Sequence, residues 1–169
     1  GVDRRYLDND NFVDKRKVEL RRDQWDYDID EQAAHYGAHD YRVLNLTVSP
    51  FNDNTTSYFY SSVGGYHPAK LRRYQELIEQ HIGPEIQNIN QALQDSTANA
   101  ETLFPVLNML NTRWFILGNA QQQYPYENEA AYVNAWFVDS VVVVQNANEE
   151  IDALHHHNPR TTAIVSQDD

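Results

Sequence analysis

The sequence predicts an α+β (or α/β) domain in which helices pack on a mixed β-sheet of about four strands. Apolar, β-branched runs are typical of strands, and other segments repeat their apolar residues every three or four positions, as amphipathic helices do. The two kinds of segment do not alternate in a strict βαβ rhythm, which favours a mixed sheet. The chain has 169 residues, 41% of them hydrophobic, which is enough for one core. We therefore expect a single domain at residues 40–169, preceded by an extended arm at residues 1–39 that packs on it.

Four segments predict strands, at residues 41–48, 113–117, 135–144 and 161–166. The valine-rich segment 135–144 is the most β-prone of them, and we expect it to form a central strand buried on both faces. An aromatic, strand-like run at residues 57–60 leads into a Gly64-Gly65 turn. The polar residues 121–128 predict a loop.

The helices are predicted from periodicity and from capping residues. Pro68 suits the first position of a helix, where its fixed φ is favourable and its missing N–H is not needed. Gly83 and Pro84 are expected to end that helix and to separate it from a second amphipathic one. Asn146 predicts the N-cap of a later helix, with Glu149 as its capping-box partner. A further short helix is expected in the arm, at residues 30–36.

Three cations crowd the start of the helix that follows the Gly64-Gly65 turn. Lys70, Arg72 and Arg73 lie where the helix dipole favours acidic side chains by roughly 0.3–1 kcal/mol each. A nearby anionic group would relieve this placement. Alternatively, Arg72 pairs with Glu76 at i,i+4 spacing, and the other two cations point into water.

Composition excludes several functional classes. The formal charge of −12 disfavours binding to a nucleic-acid backbone. There is no cysteine, so disulfides, thiolate metal sites and cysteine nucleophiles are excluded. No phosphate-binding glycine loop, nucleophile elbow or zinc-protease motif occurs, and the residues alone predict no catalytic residue, no cofactor and no metal site.

No apolar run approaches 18 residues, so we expect the residues given to be soluble. The chain starts at Gly1 and closes abruptly at Asp169, and we expect it to be a piece excised from a larger protein.

Four features invite a functional interpretation, and each also has a structural one. The cluster at residues 8–11 resembles the start of a calcium loop but lacks the glycine and the closing glutamate, so a polar turn is expected.

Residues 155–157 are His155, His156 and His157, which project about 100° apart on a helix and cannot all face one ion. We therefore expect a solvated helix end. Asp139 is either at the exposed end of its strand or buried and paired. Five aromatic residues could stack on sugars through their apolar faces, although in a domain of this size most of them are expected in the core: Tyr58, Tyr60, Tyr66, Trp114 and Trp136.

Several blocks of the chain, taken in order, resemble a known family. They are residues 2–13, 41–47, 56–60, 64–67, 70–75, 106–112 and 134–138. Together they resemble the large extracytoplasmic region of Bacteroidetes membrane proteins of the YfhO family. The most specific block runs from Gly64-Gly65-Tyr66-His67 to Tyr74-Gln75.

The resemblance implies a multi-spanning membrane protein related to glycosyltransferases that use lipid-linked sugars, with this part on the periplasmic side of the cytoplasmic membrane. Catalytic carboxylates of such enzymes are expected near the membrane-spanning helices, which are absent here, so no catalytic residue is carried over. The expected partners are the protein's own transmembrane region and a lipid-linked sugar or an envelope glycan. We expect the domain to assist sugar transfer from a polyprenyl-phosphate donor to an envelope polymer. Tyr66, His67, Arg72 and Arg73 are then the candidate ligand-binding residues. The alternative is a non-enzymatic envelope module that binds glycan or a protein partner.

Overall fold

The computed structural model describes residues 21–34, 40–95, 98–119 and 121–167. Its α+β content confirms the predicted fold class. Within these ranges the helices are α1 (Gln24–Ala33), α2 (Arg72–Leu77), α3 (Gly83–Gln94), α4 (Ala100–Leu103), α5 (Pro105–Met109) and α6 (Ala147–Ala153). The strands are β1 (Arg42–Asn45), β2 (Thr112–Gly118), β3 (Gln123–Glu127), β4 (Ser140–Val144) and β5 (Thr162–Ser166). Of the predicted arm at residues 1–39, residues 1–20 and 35–39 lie outside the described residues, and so does the predicted turn at residues 8–11.

The strands form two separate sheets rather than one. The first has the order β1-β2-β3, in which β1 and β2 are parallel and β2 and β3 are antiparallel. The second pairs β4 with β5 in parallel, and α6 connects them. The first sheet is therefore mixed, as predicted, whereas the valine-rich segment belongs to a different and smaller sheet.

The central strand of the larger sheet is β2, and its two faces support two parts of the core. Phe115 and Leu117 face a cluster formed with α3, α5 and the turn before α3. Trp114 and Ile116 face the other way, against Trp25 of α1 and its neighbours. Alternate residues of a strand point to opposite faces, so one continuous apolar run serves both layers. The larger sheet is thus covered by α1 on one face and by α3 and α5 on the other.

Residues 135–144 were predicted to be the central buried strand, and this prediction is wrong. Only residues 140–144 of the segment are a strand, and Val141 and Val143 of β4 are exposed. β-branched residues favour extended backbone wherever they lie, so the composition alone did not distinguish a sheet centre from a two-stranded pair. The predicted loop at residues 121–128 instead contains β3, an edge strand whose Pro125 is tolerated because one side of an edge strand needs no ladder hydrogen bonds.

The helix after the Gly64-Gly65 turn also differs from the prediction. Regular helix begins at Arg72, not at Pro68, and it continues past Pro84 instead of ending there. A π-helical turn over Ile78–Ile82 precedes α3, and the Gly83 N–H donates to the carbonyl of Ile78, five residues back. The wider turn accommodates a proline, which lacks an N–H and would clash with the carbonyl of an ordinary α-helical turn.

Shorter elements also depart from the predictions. The aromatic run at residues 57–60 is not a strand, because Thr56–Tyr58 forms a 3₁₀ turn. In the arm, α1 spans Gln24–Ala33 and starts six residues before the predicted helix. The prediction of Asn146 as an N-cap is confirmed, because its side chain accepts hydrogen bonds from the N–H groups of Asn148 and Glu149. The predicted capping box differs, because Glu149 accepts the N–H of Gln145, one residue before the N-cap.

Candidate functional site

The four candidate residues near the Gly64-Gly65 turn lie at the surface. The Tyr66 N–H donates to Asn54 Oδ1 at 2.6 Å, and His67 Nδ1 accepts from the Ala69 N–H at 3.1 Å. These contacts shape the turn. They leave the tyrosine ring exposed.

Both candidate arginines face glutamates. Arg72 Nε lies 2.8 Å from Glu76 Oε1, which confirms the i,i+4 ion-pair alternative. Arg73 Nη1 lies 3.9 Å from Glu150 Oε2 on α6, across a small groove of about 150 Å³. Protein carboxylates therefore already satisfy much of the charge that an anionic ligand would neutralise. The geometry does not require a phosphate at this place.

The cation Lys70 makes a different contact. Its Nζ lies 5.3 Å from the centre of the Phe51 ring, so this cation rests on an aromatic face rather than pointing freely into water.

Among the carboxylates of the described residues, that of Glu85 has the pKa most strongly shifted from its ordinary value, and its role is structural. Its two oxygens accept the N–H groups of Val106 and Leu107, each at 2.8 Å, at the start of α5. Burial raises the pKa of Glu85 to about 7, and these two hydrogen bonds partly oppose the shift. The residue that precedes α5 is Phe104, which has no side-chain acceptor, so Glu85 replaces the missing cap from α3.

The histidine run does not gather a metal site. Among the described residues, no group of three His, Cys, Asp or Glu side chains is placed to hold an ion. His155 and His156 are exposed beyond the end of α6, as the solvated-end interpretation expects. His155 also packs against His81 of the π-helical turn, a contact that the sequence did not predict.

A second surface gathers more binding chemistry, and we call it the aromatic groove. It is an open depression of about 420 Å³ between the segment before β4 and the turn before β5. Its aromatic residues are Tyr132, Trp136 and Phe137, and its charged residues are Glu101, Glu129, Asp139 and Arg160. A groove of this size lies within the range of about 300–1,000 Å³ in which proteins bind small ligands.

Two of the three rings are held in fixed positions. Tyr132 is buried and meets Trp136 edge-to-face, with ring centroids 5.0 Å apart. The Trp136 indole N–H donates to the Pro159 carbonyl at 3.2 Å. The Arg160 guanidinium carbon lies 5.2 Å from the centre of the Tyr132 ring, which restricts where this cation can point. The groove therefore has a rigid floor.

Phe137 and Asp139 complete the groove at its exposed rim. The side chain of Phe137 is fully exposed, at 103% of the reference area. A ring with no covering neighbours costs solvation free energy, so its position is unusual for a side chain of this size. Asp139 precedes β4 and is also exposed, which confirms the exposed-end interpretation of this carboxylate.

This combination suits a ligand with both apolar and hydroxyl-bearing faces. Aromatic rings stack on apolar surfaces, while carboxylates accept and guanidinium groups donate hydrogen bonds. A sugar ring has both kinds of surface. Of the residues in this groove, Trp136 and Asp139 were candidates from the sequence, whereas Tyr132, Phe137 and Arg160 were not. The sequence could have indicated Tyr132 and Phe137, because three aromatic residues lie within residues 132–137. Arg160 comes from a distant segment of the chain.

Comparison with known proteins gives no match, whether to a protein family, to a curated protein or to a solved structure. The similarity to the YfhO family therefore stays a prediction that rests on the sequence blocks quoted above. In the described part of the chain, no helix has both the length and the apolar character needed to cross a membrane.

Proposed function

We propose that this chain is an extracytoplasmic, glycan-binding module of a YfhO-like membrane protein. In this proposal it assists sugar transfer from a polyprenyl-phosphate donor by holding the envelope glycan that accepts the sugar. The module itself carries no catalytic residue. The transmembrane part of the same protein and the lipid-linked sugar are its partners, on the periplasmic side of the cytoplasmic membrane.

The observation that carries the proposal is the aromatic groove. Trp136 is already fixed by its contacts with the buried Tyr132 ring and the Pro159 carbonyl, so a ligand that stacks on Trp136 does not have to order it. Phe137 presents an uncovered ring beside them. The polar groups at the rim are charged, and charged groups form stronger hydrogen bonds with hydroxyls than neutral groups do.

Tyr66, His67, Arg72 and Arg73 take a secondary place in this proposal. Because both arginines lie beside glutamates, they support the helix and the contact with α6 more directly than they support an anionic ligand. A phosphate-bearing donor would have to displace these ion pairs. We therefore assign recognition of the acceptor glycan to the aromatic groove.

A binding measurement with matched variants tests the proposal. The 169-residue chain is applied to an array of bacterial envelope glycans, and each hit is quantified by isothermal titration calorimetry. Phe137→Ala should weaken binding about fivefold, because a ring that stacks on a ligand contributes on the order of 1 kcal/mol. Tyr58→Ala removes another exposed aromatic ring outside the groove and should leave affinity unchanged. Equal loss in both variants, or no binding by the wild type, contradicts the proposal.

The membrane part of the proposal has its own test. The genomic reading frame should encode several hydrophobic spans in addition to these residues. A reading frame that encodes only a secretion signal in addition to these residues would contradict the proposed role in sugar transfer. The chain would then be a secreted glycan-binding module. Sugar transfer by the 169-residue chain alone would also contradict the assignment.

A further inference from the structure

A second groove lies directly beside the aromatic groove, and the two share Tyr132 and Val133 in their walls. This second groove has a volume of about 320 Å³. Its other lining residues come from the segment before β1, the start of β2 and residues 134–135: Asp40, Tyr41, Asn111, Arg113, Asn134 and Ala135. The short segment at residues 132–135 therefore lines the second groove, and its first two residues also line the aromatic groove.

The second groove is lined by amides and a carboxylate that hold one another in place. The Asn111 Nδ2 donates to the Asp40 carbonyl at 2.6 Å and to Asn134 Oδ1 at 2.9 Å. The Asn134 Nδ2 in turn donates to Asp40 Oδ1 at 3.0 Å. Asp40 and Asn134 are exposed, and a carboxylate has about four acceptor positions, so the cluster is fixed yet can still bond to a ligand.

The backbone supports this arrangement. Asn111 has a φ of 56°, in the left-handed region that asparagine adopts more readily than most other residues at the end of a helix. It follows α5 and precedes β2, so the positive φ turns the chain from the helix into the central strand. The Arg113 guanidinium donates to the carbonyls of Glu129 and Ala131, which ties β2 to residues that line the aromatic groove.

We propose that the two grooves form one extended site for an oligosaccharide of several sugar units, and this proposal rests on the proposed glycan-binding function. One sugar stacks in the aromatic groove against Trp136 and Phe137. The next units cross the segment at residues 132–135, and their hydroxyls bond to Asp40 and Asn134. The ligand is thus a chain, not a single sugar.

The charges on the walls select among such chains. Four carboxylates line the two grooves, those of Asp40, Glu101, Glu129 and Asp139, against two guanidinium groups, those of Arg113 and Arg160. The whole chain also carries a formal charge of −12. Uronic-acid polymers and other anionic glycans are repelled by this field, so the ligand is a neutral or amine-bearing glycan.

Length-dependent binding tests the extended site. The probes are oligomers of one to six units of β-1,4-linked N-acetylglucosamine, of β-1,4-linked glucose and, as an anionic series, of galacturonic acid. We expect affinity for a neutral series to rise at least tenfold between one and four units, and galacturonic acid oligomers to bind more weakly at equal length. Amide chemical shifts of the wild-type chain should move in both grooves with the longer oligomers and only in the aromatic groove with the monomer.

Two substitutions test the contribution of each groove to binding separately. Ala135→Trp fills the second groove from an exposed position and should bring the affinities for the monomer and the longer oligomers to within about twofold of each other. Phe137→Ala should weaken binding at every length. If affinity does not depend on length, or shifts stay within one groove, the extended site is wrong and the proposed function stands. If no series and no array glycan binds, both fail.

Discussion

The imidazole ring of His155 packs on that of His81, with centroids 4.1 Å apart and planes inclined by 31°. His81 lies in the π-helical turn and is buried, and its Nε2 lies 2.8 Å from the Ile151 carbonyl of α6. A carbonyl only accepts, so Nε2 carries the proton and donates. The pair joins the unit formed by β4, α6 and β5, which we call the α6 unit, to the long helix that runs through α2, the π-helical turn and α3. Two rings that are both protonated would repel each other at this distance.

Acid should weaken this contact. Burial lowers the pKa of His81 below its ordinary 6.5, and the nearby His155 lowers it further, while the bond to Ile151 and the charge of Asp152 oppose the shift. A base whose pKa is lower in the folded state takes up its proton more readily when unfolded, so its contribution to stability is present above pH 6.5 and is lost as pH falls below that value. We expect the free energy of unfolding of the wild type, relative to His81→Gln, to fall below pH 6.5 in urea titrations. His156→Gln, at an exposed position, keeps His81 and serves as the control, so it should retain the trend of the wild type.

Removing the carboxylate of Glu85 should destabilise the domain. Glu85→Ala leaves the buried N–H groups of Val106 and Leu107 without their acceptors, and each unpaired buried donor costs about 1–3 kcal/mol. Glu79→Ala, on the exposed side of the same long helix, should change the free energy of unfolding by less than about 0.5 kcal/mol. Thermal denaturation followed by circular dichroism measures both. Similar melting temperatures for the two variants would contradict the capping role.

The pH dependence of Glu85 has the opposite sign to that of His81. Its pKa rises from the ordinary 4.5 to about 7, mainly through burial. An acid with a raised folded-state pKa contributes stability below its unfolded pKa, and that contribution is lost as pH rises through the folded value. The stability of the wild type relative to Glu85→Gln should therefore decrease between about pH 4.5 and pH 7. A difference that is flat with pH would show that the pKa of Glu85 is the same in the folded and the unfolded chain.

Local signals explain why some of these features could be predicted from the sequence and others could not. The Asn146 cap and the Arg72–Glu76 pair depend on residues within four positions of each other, so spacing alone predicts them. Glu85 caps a helix 21 positions away, and no local pattern marks it. Likewise, β3 contains mostly polar residues and Pro125, and it is extended because it pairs with β2. The aromatic groove combines residues 132–139 with Arg160, which only the fold brings together.

The N-cap of α6 should contribute measurably to stability. Asn146→Ala removes the side-chain acceptor of two backbone N–H groups, and such a change costs typically about 1 kcal/mol. Asn148→Ala, two positions later and exposed, keeps the cap and provides the control. Chemical denaturation should therefore place the midpoint of Asn146→Ala below those of both the wild type and the control. Coincident midpoints would argue that the α6 unit unfolds before the transition being measured.

The Gly64-Gly65 turn should tolerate no side chain at its first position. A Cβ on Gly64 would lie 2.0 Å from the Pro50 carbonyl oxygen, so the backbone itself would have to move. That carbonyl also accepts the Gly65 N–H at 2.7 Å, and the Tyr74 hydroxyl donates to the Val63 carbonyl, so the same movement would disturb the start of the long helix. We expect Gly64→Ala to cost more than the 0.5–3 kcal/mol of an average destabilising substitution. Gly65 has φ of 128°, a conformation that disfavours any L-residue, but it has space for a Cβ, so Gly65→Ala should be strained without a collision and should cost less than Gly64→Ala. Chemical denaturation of the two variants measures this difference. If Gly64→Ala lowers the free energy of unfolding by no more than Gly65→Ala does, the close approach to Pro50 is not maintained in solution.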